Sequence, residues 1–454
     1  MKRSIEDIVM QFKHDVGRAL APEFIVAVCQ ALGHVWRDRQ LGPVATIQGF
    51  LLQILHGNTA CSEVPRLLGM AVSGEAYGQA RKRLPLELFQ RVLSELCSRL
   101  HGYVSDADKW LGHRVWVIDG SSCSTPDVPA LQQAFGQPPN QAPGCGFPVA
   151  HLMALFHMQT GMLLRIAAAP MRTHDQTQAR RMHDEFSPGD VVLADRGFCS
   201  FWHLAQLHQA GVHAVFRIHQ SQIVSFRKGR MHHPPSPPFP KRHDLRGLPT
   251  TRWVRRLGRH DQIVEYHKPS RRPGWMSLEL YESLPDKLML RELRYAVEMR
   301  GVRTREITLV TTLLESTAYS AEDLAALYGR RWEVETNLRH LKQTLGMDIL
   351  HTKTLDGIHK ELAMFAIVYN LVRLVMLESA RRQGVAPERI SFADALRWLR
   401  AAGRGGELAR IRVNPERPGR IEPRALKRRP KRFPLLNKPR SQLKQLIESQ
   451  RLTP

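Results

Sequence analysis

Three carboxylates in this sequence are placed where they could act together. Asp119 closes the run Arg114-Val-Trp-Val-Ile-Asp119, and Asp195 closes Asp190-Val-Val-Leu-Ala-Asp195. Both runs are short, apolar and β-branched, as buried strands are. Each acid is therefore expected at the carboxyl end of a strand, where ligands collect in open α/β sheets. Two carboxylates held there can clamp a hard cation such as Mg²⁺, which prefers oxygen ligands. Taken singly, an Asp before Gly or Arg-Gly is more often a polar turn residue. A third stretch changes that balance: Tyr328-Gly-Arg-Arg-Trp-Glu-Val-Glu-Thr-Asn-Leu-Arg-His-Leu-Lys342. On a continuous helix, residues 328, 331, 335, 339 and 342 share one face. That face carries a phenol, a guanidinium, the Glu335 carboxylate, a second guanidinium and an ammonium. One acid among cations suits a metal-and-phosphate site. Glu333 lies about 200° around the helix at ~100° per residue, and so faces elsewhere. The plainer reading is an exposed helix laced with ion pairs, but Trp332, Leu338 and Leu341 require the helix to pack on something.

The surrounding elements must bring these residues together. Residues 1–105 have helical spacing, clearest over Phe24–Leu32 and Ile47–Leu55. After the Asp119 strand and a Gly-Ser-Ser turn comes a Pro/Gly/Gln-rich loop, Pro126–Pro148. Val149–Met158 and Met162–Ala168 read as a hairpin, His174–Phe186 as a polar helix, Phe201–Gln209 as a helix and Ala214–Ile218 as a strand. Residues 221–305 form a β-rich insertion, with short strands expected at Thr251–Leu257, Ile263–Tyr266, Ser277–Tyr281 and Leu293–Met299, and a further strand at Glu306–Val310 that rejoins the main fold. Two long helices follow, Ala321–Leu345 and Leu355–Gln383. The resulting plan is α/β with mixed strand directions: a helical N-terminal domain (1–105), a core in two parts (106–220 and 306–385) split by the insertion, with an element order of the kind a ribonuclease H-like core has, and a basic C-terminal region (386–454).

Composition points to a polyanionic partner. Lys and Arg number 66 against 42 Asp and Glu, a formal charge of +24, and each cation near a phosphate releases a condensed counterion. Nucleic acid is favoured over a membrane surface, for which the basic segments lack an apolar face. From Gly403 onward there are 15 Lys or Arg against four Glu, densest at Lys427–Arg432; such runs are most often solvated tails, with phosphate tracking as the sharper alternative. The six cysteines are scattered with no Cys-x-x-Cys pair, which argues against a zinc ribbon or a disulfide scaffold. His232-His233 has no second ligand pair. The apolar stretch Glu361–Leu377 is interrupted by Asn370 and Arg373 and reads as a buried helix. A reducing, cytoplasmic setting fits.

The spacing Tyr-x-x-Arg-x-x-x-Glu-x-x-x-x-x-x-Lys, here Tyr328, Arg331, Glu335 and Lys342, resembles the signature of the insertion-sequence-four family of DDE transposases. Asp119-Gly-Ser resembles the family's first acidic motif and Asp195-Arg-Gly-Phe its second. The resemblance runs from about residue 45 to 380, and three motifs in order make it specific. It implies a ribonuclease H-like core in which Asp119, Asp195 and Glu335 hold two divalent ions, Mg²⁺ or Mn²⁺, for cleavage at transposon ends and strand transfer into target DNA. It implies double-stranded DNA partners, a homodimer in the synaptic complex, and a bacterial, nucleoid-associated location. Tyr328, Arg331 and Lys342 would contact phosphates near the transposon end. Helix geometry adds Arg339, and nearness to the acids adds Arg196 and Ser121. Some family members cut through a DNA hairpin and stack a flipped base on Trp; Trp332 stands at a family motif position, and Trp253 or Trp275 could supply a second ring. Core packing is the more ordinary fate of a Trp.

Residues Cys61–Leu84 have helix-turn-helix spacing, with Tyr77, Gln79, Arg81, Lys82 and Arg83 as candidates to face DNA; a plain helical hairpin with a basic end is the equal alternative. Two other functions compete with the leading one. A ribonuclease H-like nuclease or resolvase would share the acids but need not carry the Tyr-Arg-Glu-Lys face. A non-catalytic DNA-binding protein derived from a transposase would not need all three acids.

Overall fold

The structure is a computed structural model that describes residues 20–37, 39–101, 109–139, 141–219, 221–233, 247–297, 305–401, 408, 410–415, 436 and 438–451. The Lys427–Arg432 run lies outside them.

The N-terminal part is helical, as its spacing predicts: α1 (Pro22–Ala31), α2 (Pro43–Leu55), α3 (Val64–Leu68), α4 (Gly74–Arg83) and α5 (Leu86–His101). Proline stands in the first turn of α1, α2 and α3, where its missing N–H costs no helix bond. Then come β1 (Val115–Ser124), α6 (Pro129–Phe135), β2 (Val149–His157), β3 (Leu163–Pro170), α7 (Asp175–Ala179), β4 (Val191–Ala194), α8 (Phe201–Gln209) and β5 (His213–Arg217). Next are β6 (Thr251–Gly258), β7 (Asp261–His267), α9 (Leu278–Ser283), β8 (Lys287–Val297) and β9 (Arg305–Thr311). The chain continues with α10 (Ala321–Gly329), α11 (Trp332–Arg339), α12 (Leu355–Gln383), α13 (Phe392–Ala401) and α14 (Arg440–Arg451).

Among the described residues nine strands form one sheet in the order β3-β2-β1-β4-β5-β9-β8-β7-β6. β1, β4 and β5 are parallel, and every other pairing is antiparallel. The strands of the 221–305 stretch therefore do not stand apart: through β9 they extend the same sheet.

One face of the sheet is covered by the N-terminal helices together with α10 to α13, the other by α7, α8 and α9. Helix α12 is the centre of the first layer. It is long and apolar enough to cross a membrane, but 94% of its most apolar stretch is buried inside the fold. Its polar interruptions have partners: Asn370 accepts from the Leu163 N–H at 2.8 Å and donates to the Leu163 carbonyl at 2.8 Å, and Arg373 donates to the Thr160 carbonyl. Buried polar groups are tolerated where they are bonded in this way.

Four expectations differ from the structure. β1 does not turn after Asp119; β2 pairs with it residue by residue to Ser124, and that ladder carries the Gly-Ser-Ser segment on as strand. Ser277–Tyr281 is the start of helix α9, because Ser277 caps it by accepting from the Leu280 N–H. The polar segment after His174 is a five-residue helix followed by a 3₁₀ turn over Arg180–Glu185. Finally, Ala321–Leu345 is not one helix, a break that shapes the site.

Candidate active site

Strand register brings the two aspartates together. In the parallel pair β1–β4, Val115 is opposite Val191 and Val117 opposite Leu193. One further side-chain repeat puts Asp119 level with Asp195, and the period of two turns both toward the helix-covered face that Val115, Val117, Val191 and Leu193 occupy. Asp195 then leads into a 3₁₀ turn over Arg196–Phe198. Asp119 accepts from the Gly120 N–H at 2.9 Å. Burial pushes its carboxyl up to about 6; Glu335 and Asp195 add to the rise, while Arg331 and the Gly120 N–H oppose it.

The third acid comes from the broken helix. A capping box between Ser320 and Asp323 starts α10. The chain then tightens: the N–H of Arg331 bonds Tyr328, that of Glu333 bonds Arg330, and that of Val334 bonds Arg331. After α11 it widens into a π turn over His340–Thr344. The segment beyond is pinned to the far end of β1 by Ser124, whose N–H bonds Asp348 and whose carbonyl accepts from Leu350. Across the tight joint and the π turn, Tyr328, Arg331, Glu335 and Lys342 still look toward the strand ends.

Their contacts are with the protein's own acids and strands. The Tyr328 hydroxyl donates to Asp195 Oδ1 at 3.4 Å. Arg331, only 7% exposed, lies among the charges of Asp195, Asp119 and Glu335. Its Nη2 is 3.3 Å from Glu335 Oε1, while its Nε has no partner among the described residues. Lys342 Nζ donates to Ser121 Oγ at 3.2 Å. The Glu335 side chain is 46% exposed, Arg339 and Arg196 are exposed, and the Trp332 ring is 53% exposed beside the Arg331 guanidinium.

The acids are near one another but not closed into a cage. Among the described residues no three His, Cys, Asp or Glu side chains converge closely enough to hold a metal ion. The donor chemistry nevertheless fits a hard divalent cation: a pair of carboxylates at matching strand positions, one of them raised by burial despite the opposing charge of Arg331. Arg331 supplies the positive charge that the acids face in this structure.

Comparison with known proteins decides what kind of site this is. A family model described as Transposase DDE domain matches residues 110–371, a span that contains all three acids. The chain belongs to the DDE transposase family. Transposase relatives include InsG of insertion sequence element IS4 from Escherichia coli (strain K12), 24% identical over 386 residues, covering 80% of this chain and 78% of that one. Another is the transposase of IS231B from Bacillus thuringiensis subsp. berliner, 23% identical over 249 residues, covering 53% and 49% of the two chains. This transposase thus stands with the insertion-sequence-four enzymes, in a family that catalyses DNA cleavage and strand transfer and generally uses divalent metal ions. Similar solved structures are a piggyBac transposase synaptic complex with hairpin DNA (TM-score 0.41, 10% identity, 88% of this chain and 80% of that one) and a pre-cleavage Mos1 transpososome (TM-score 0.14, 10% identity, 40% and 60%).

Away from the acids, α4 divides its residues between two sides. Tyr77 is buried and donates to Gln53 Oε1 at 2.9 Å; Arg81 donates to the same oxygen at 2.8 Å and lies 4.5 Å over the Phe50 ring. Lys82 and Arg83 are exposed. Arg83 and Gln79 line a cleft of about 680 Å³ with His34, Trp36, Arg37 and Arg39, four residues that the sequence pattern did not single out. Asp175, His151 and His219 were likewise missed: they share a cleft of about 450 Å³ with Asp119 and Asp195. The glycines just after the two acids, Gly120 and Gly197, were the available signal. His232 and His233 join no metal-binding group among the described residues.

Proposed function

We propose that this transposase excises its element by cut-and-paste chemistry at Asp119, Asp195 and Glu335, on a ribonuclease H-like core whose central strands are β3-β2-β1-β4-β5. The observation that carries the reading is the level placement of Asp119 and Asp195 on adjacent parallel strands, with Glu335 and Arg331 facing them from α11. Two divalent ions, Mg²⁺ or Mn²⁺, held by the three carboxylates would activate a water or a DNA 3′-hydroxyl and stabilise the leaving oxygen. The protein's own part is positioning. Tyr328 keeps Asp195 aimed by its hydroxyl. Arg331, whose Nη2 pairs with Glu335, takes a DNA phosphate at the transposon end, and that exchange of partners frees Glu335 to turn toward the other acids. Lys342, Arg339, Arg196 and Ser121 line the approach and hold flanking phosphates, while Arg83 and the cleft beside it grip DNA farther out. The partners are the terminal inverted repeats and target DNA, with two copies of the chain acting on paired ends. The exposed Trp332 ring next to Arg331 also favours a hairpin route, in which it stacks a flipped base; release of ends with no hairpin species on denaturing gels would exclude that route.

The test is end cleavage with Mg²⁺ on DNA carrying the element's terminal repeats. Asp119→Asn, Asp195→Asn and Glu335→Gln are each expected to abolish nicking while end binding persists. Substantial cutting by any one of them removes that residue from the set. Wild-type protein that binds the ends and never nicks them refutes the catalytic reading in favour of a DNA-binding role.

A further inference from the structure

The cleft that holds Asp119 and Asp195 has a second wall, built from the opposite face of the sheet. His151 lies on β2 in step with Met153 and Leu155, whose side chains enter the core beneath α7 and α8. It therefore points away from the layer that carries Glu335. Asp175 opens α7 from that side. Its Oδ1 is 2.9 Å from His151 Nε2, and the Gln178 amide nitrogen is 3.2 Å from His151 Nδ1. Since the amide nitrogen can only donate, Nδ1 is the acceptor and Nε2 carries the proton toward Asp175.

Two glycines admit this carboxylate to the cleft. A β-carbon on Gly120 would stand 3.2 Å from Asp175 Oδ1 and 3.4 Å from His151 Nε2; one on Gly197 would stand 3.2 Å from Asp175 Oδ2. The two oxygens thus rest against the backbone just beyond Asp119 and just beyond Asp195. The Gln176 side chain ties the same helix to the Gly197 carbonyl at 3.2 Å. Filling space there would need only an apolar side chain. A carboxylate instead offers hydrogen-bond acceptors, and this one, 39% exposed, lines the cleft with the two aspartates.

We propose that Asp175 is a fourth acid of the active site. Positioned by His151, it accepts hydrogen bonds from the water shell of the divalent ion at Asp119 and Asp195 and so tightens metal binding. The proposal rests on the reading of those two aspartates as metal ligands. Loss of an outer-shell partner of this kind weakens metal binding by about 10–100-fold.

The experiment is a calorimetric titration of the full-length protein with Mn²⁺ without DNA, alongside the melting temperature of the metal-free protein. Asp175→Asn is expected to raise the Mn²⁺ Kd by about tenfold or more and to leave the metal-free melting temperature unchanged. His151→Leu is expected to weaken Mn²⁺ binding in the same direction, and it carries the test if Asp175→Asn does not fold. Unaltered Mn²⁺ affinity in a folded Asp175→Asn overturns the proposal, as does a loss seen only together with a lowered metal-free melting temperature. Asp119→Asn is titrated in parallel. If it loses the ion while Asp175→Asn keeps it, the fourth acid alone falls; if it too binds as wild type does, the metal-site reading falls and takes the fourth acid with it.

Discussion

At the scale of single residues, the site is a balance between three acids and one buried cation. Asp119 has its carboxyl raised by burial to about 6 from 3.8. A group raised in this way favours the folded state in its neutral form. Its contribution is fully present below about pH 4 and is lost as the pH rises through about 6. The metal-free protein is therefore expected to lose melting temperature across that interval on account of Asp119, and Asp119→Asn should flatten the loss. Because a divalent ion binds the carboxylate, stabilisation by Mg²⁺ should appear with a midpoint near pH 6; a Mg²⁺-induced shift of the same size at pH 5 and pH 8 would contradict this. Arg331 makes the complementary prediction. Arg331→Ala removes the charge that competes with an ion, so Mn²⁺ should bind the DNA-free protein more tightly, while end cleavage falls because a phosphate contact is lost. Weaker Mn²⁺ binding in that variant would show that Arg331 does not oppose the metal.

At the scale of elements, what was legible in the sequence followed from local chemistry. Asp119 and Asp195 are legible because short apolar runs ending in an acid read as strands, β2 and β3 because a Gln-Thr-Gly turn splits two apolar runs, and α12 because its apolar stretch is long and broken by Asn370 and Arg373. The Glu335 face was found by assuming uniform helical spacing. The chain departs from that spacing twice, with a tight joint at Arg330–Arg331 and a π turn at His340–Thr344, yet the four side chains still reach the acids and Ser121. The inward turn of Arg331 was not legible, because a charged residue in a mixed-charge stretch is ordinarily solvated. Asp175 was not legible either, since it reaches the acids across the sheet rather than along the chain. The central helix of the covering layer is α12, and Asn370 ties it to β3. Asn370→Ala would orphan the Leu163 N–H and leave its carbonyl only the weak Cys97 thiol donor at 3.5 Å and is expected to cost about 2–4 kcal/mol in urea denaturation. A cost within about 0.5 kcal/mol, as at ordinary surface sites, would show that water takes over both bonds.

At the scale of the whole molecule, the charge of +24 is spread over surfaces that the fold aims differently. Arg339 is exposed beside the acids, whereas Arg81 is turned inward onto Phe50 and Gln53. Arg339→Ala should thus lower the salt slope of end binding by about one, and Arg81→Ala should lower stability more than it lowers that slope; equal slopes for the two variants would contradict the placement. The shared sheet carries a consequence for synthesis. β5 leaves the ribosome early, yet its outer neighbour β9 follows only about ninety residues later, with Val215 opposite Thr311. At about 5–20 residues per second, a nascent chain holds that strand edge open for several seconds, ready to pair with another ribosome's product. Crowded translation of one message should therefore yield more misassembled protein than sparse translation of the same total amount.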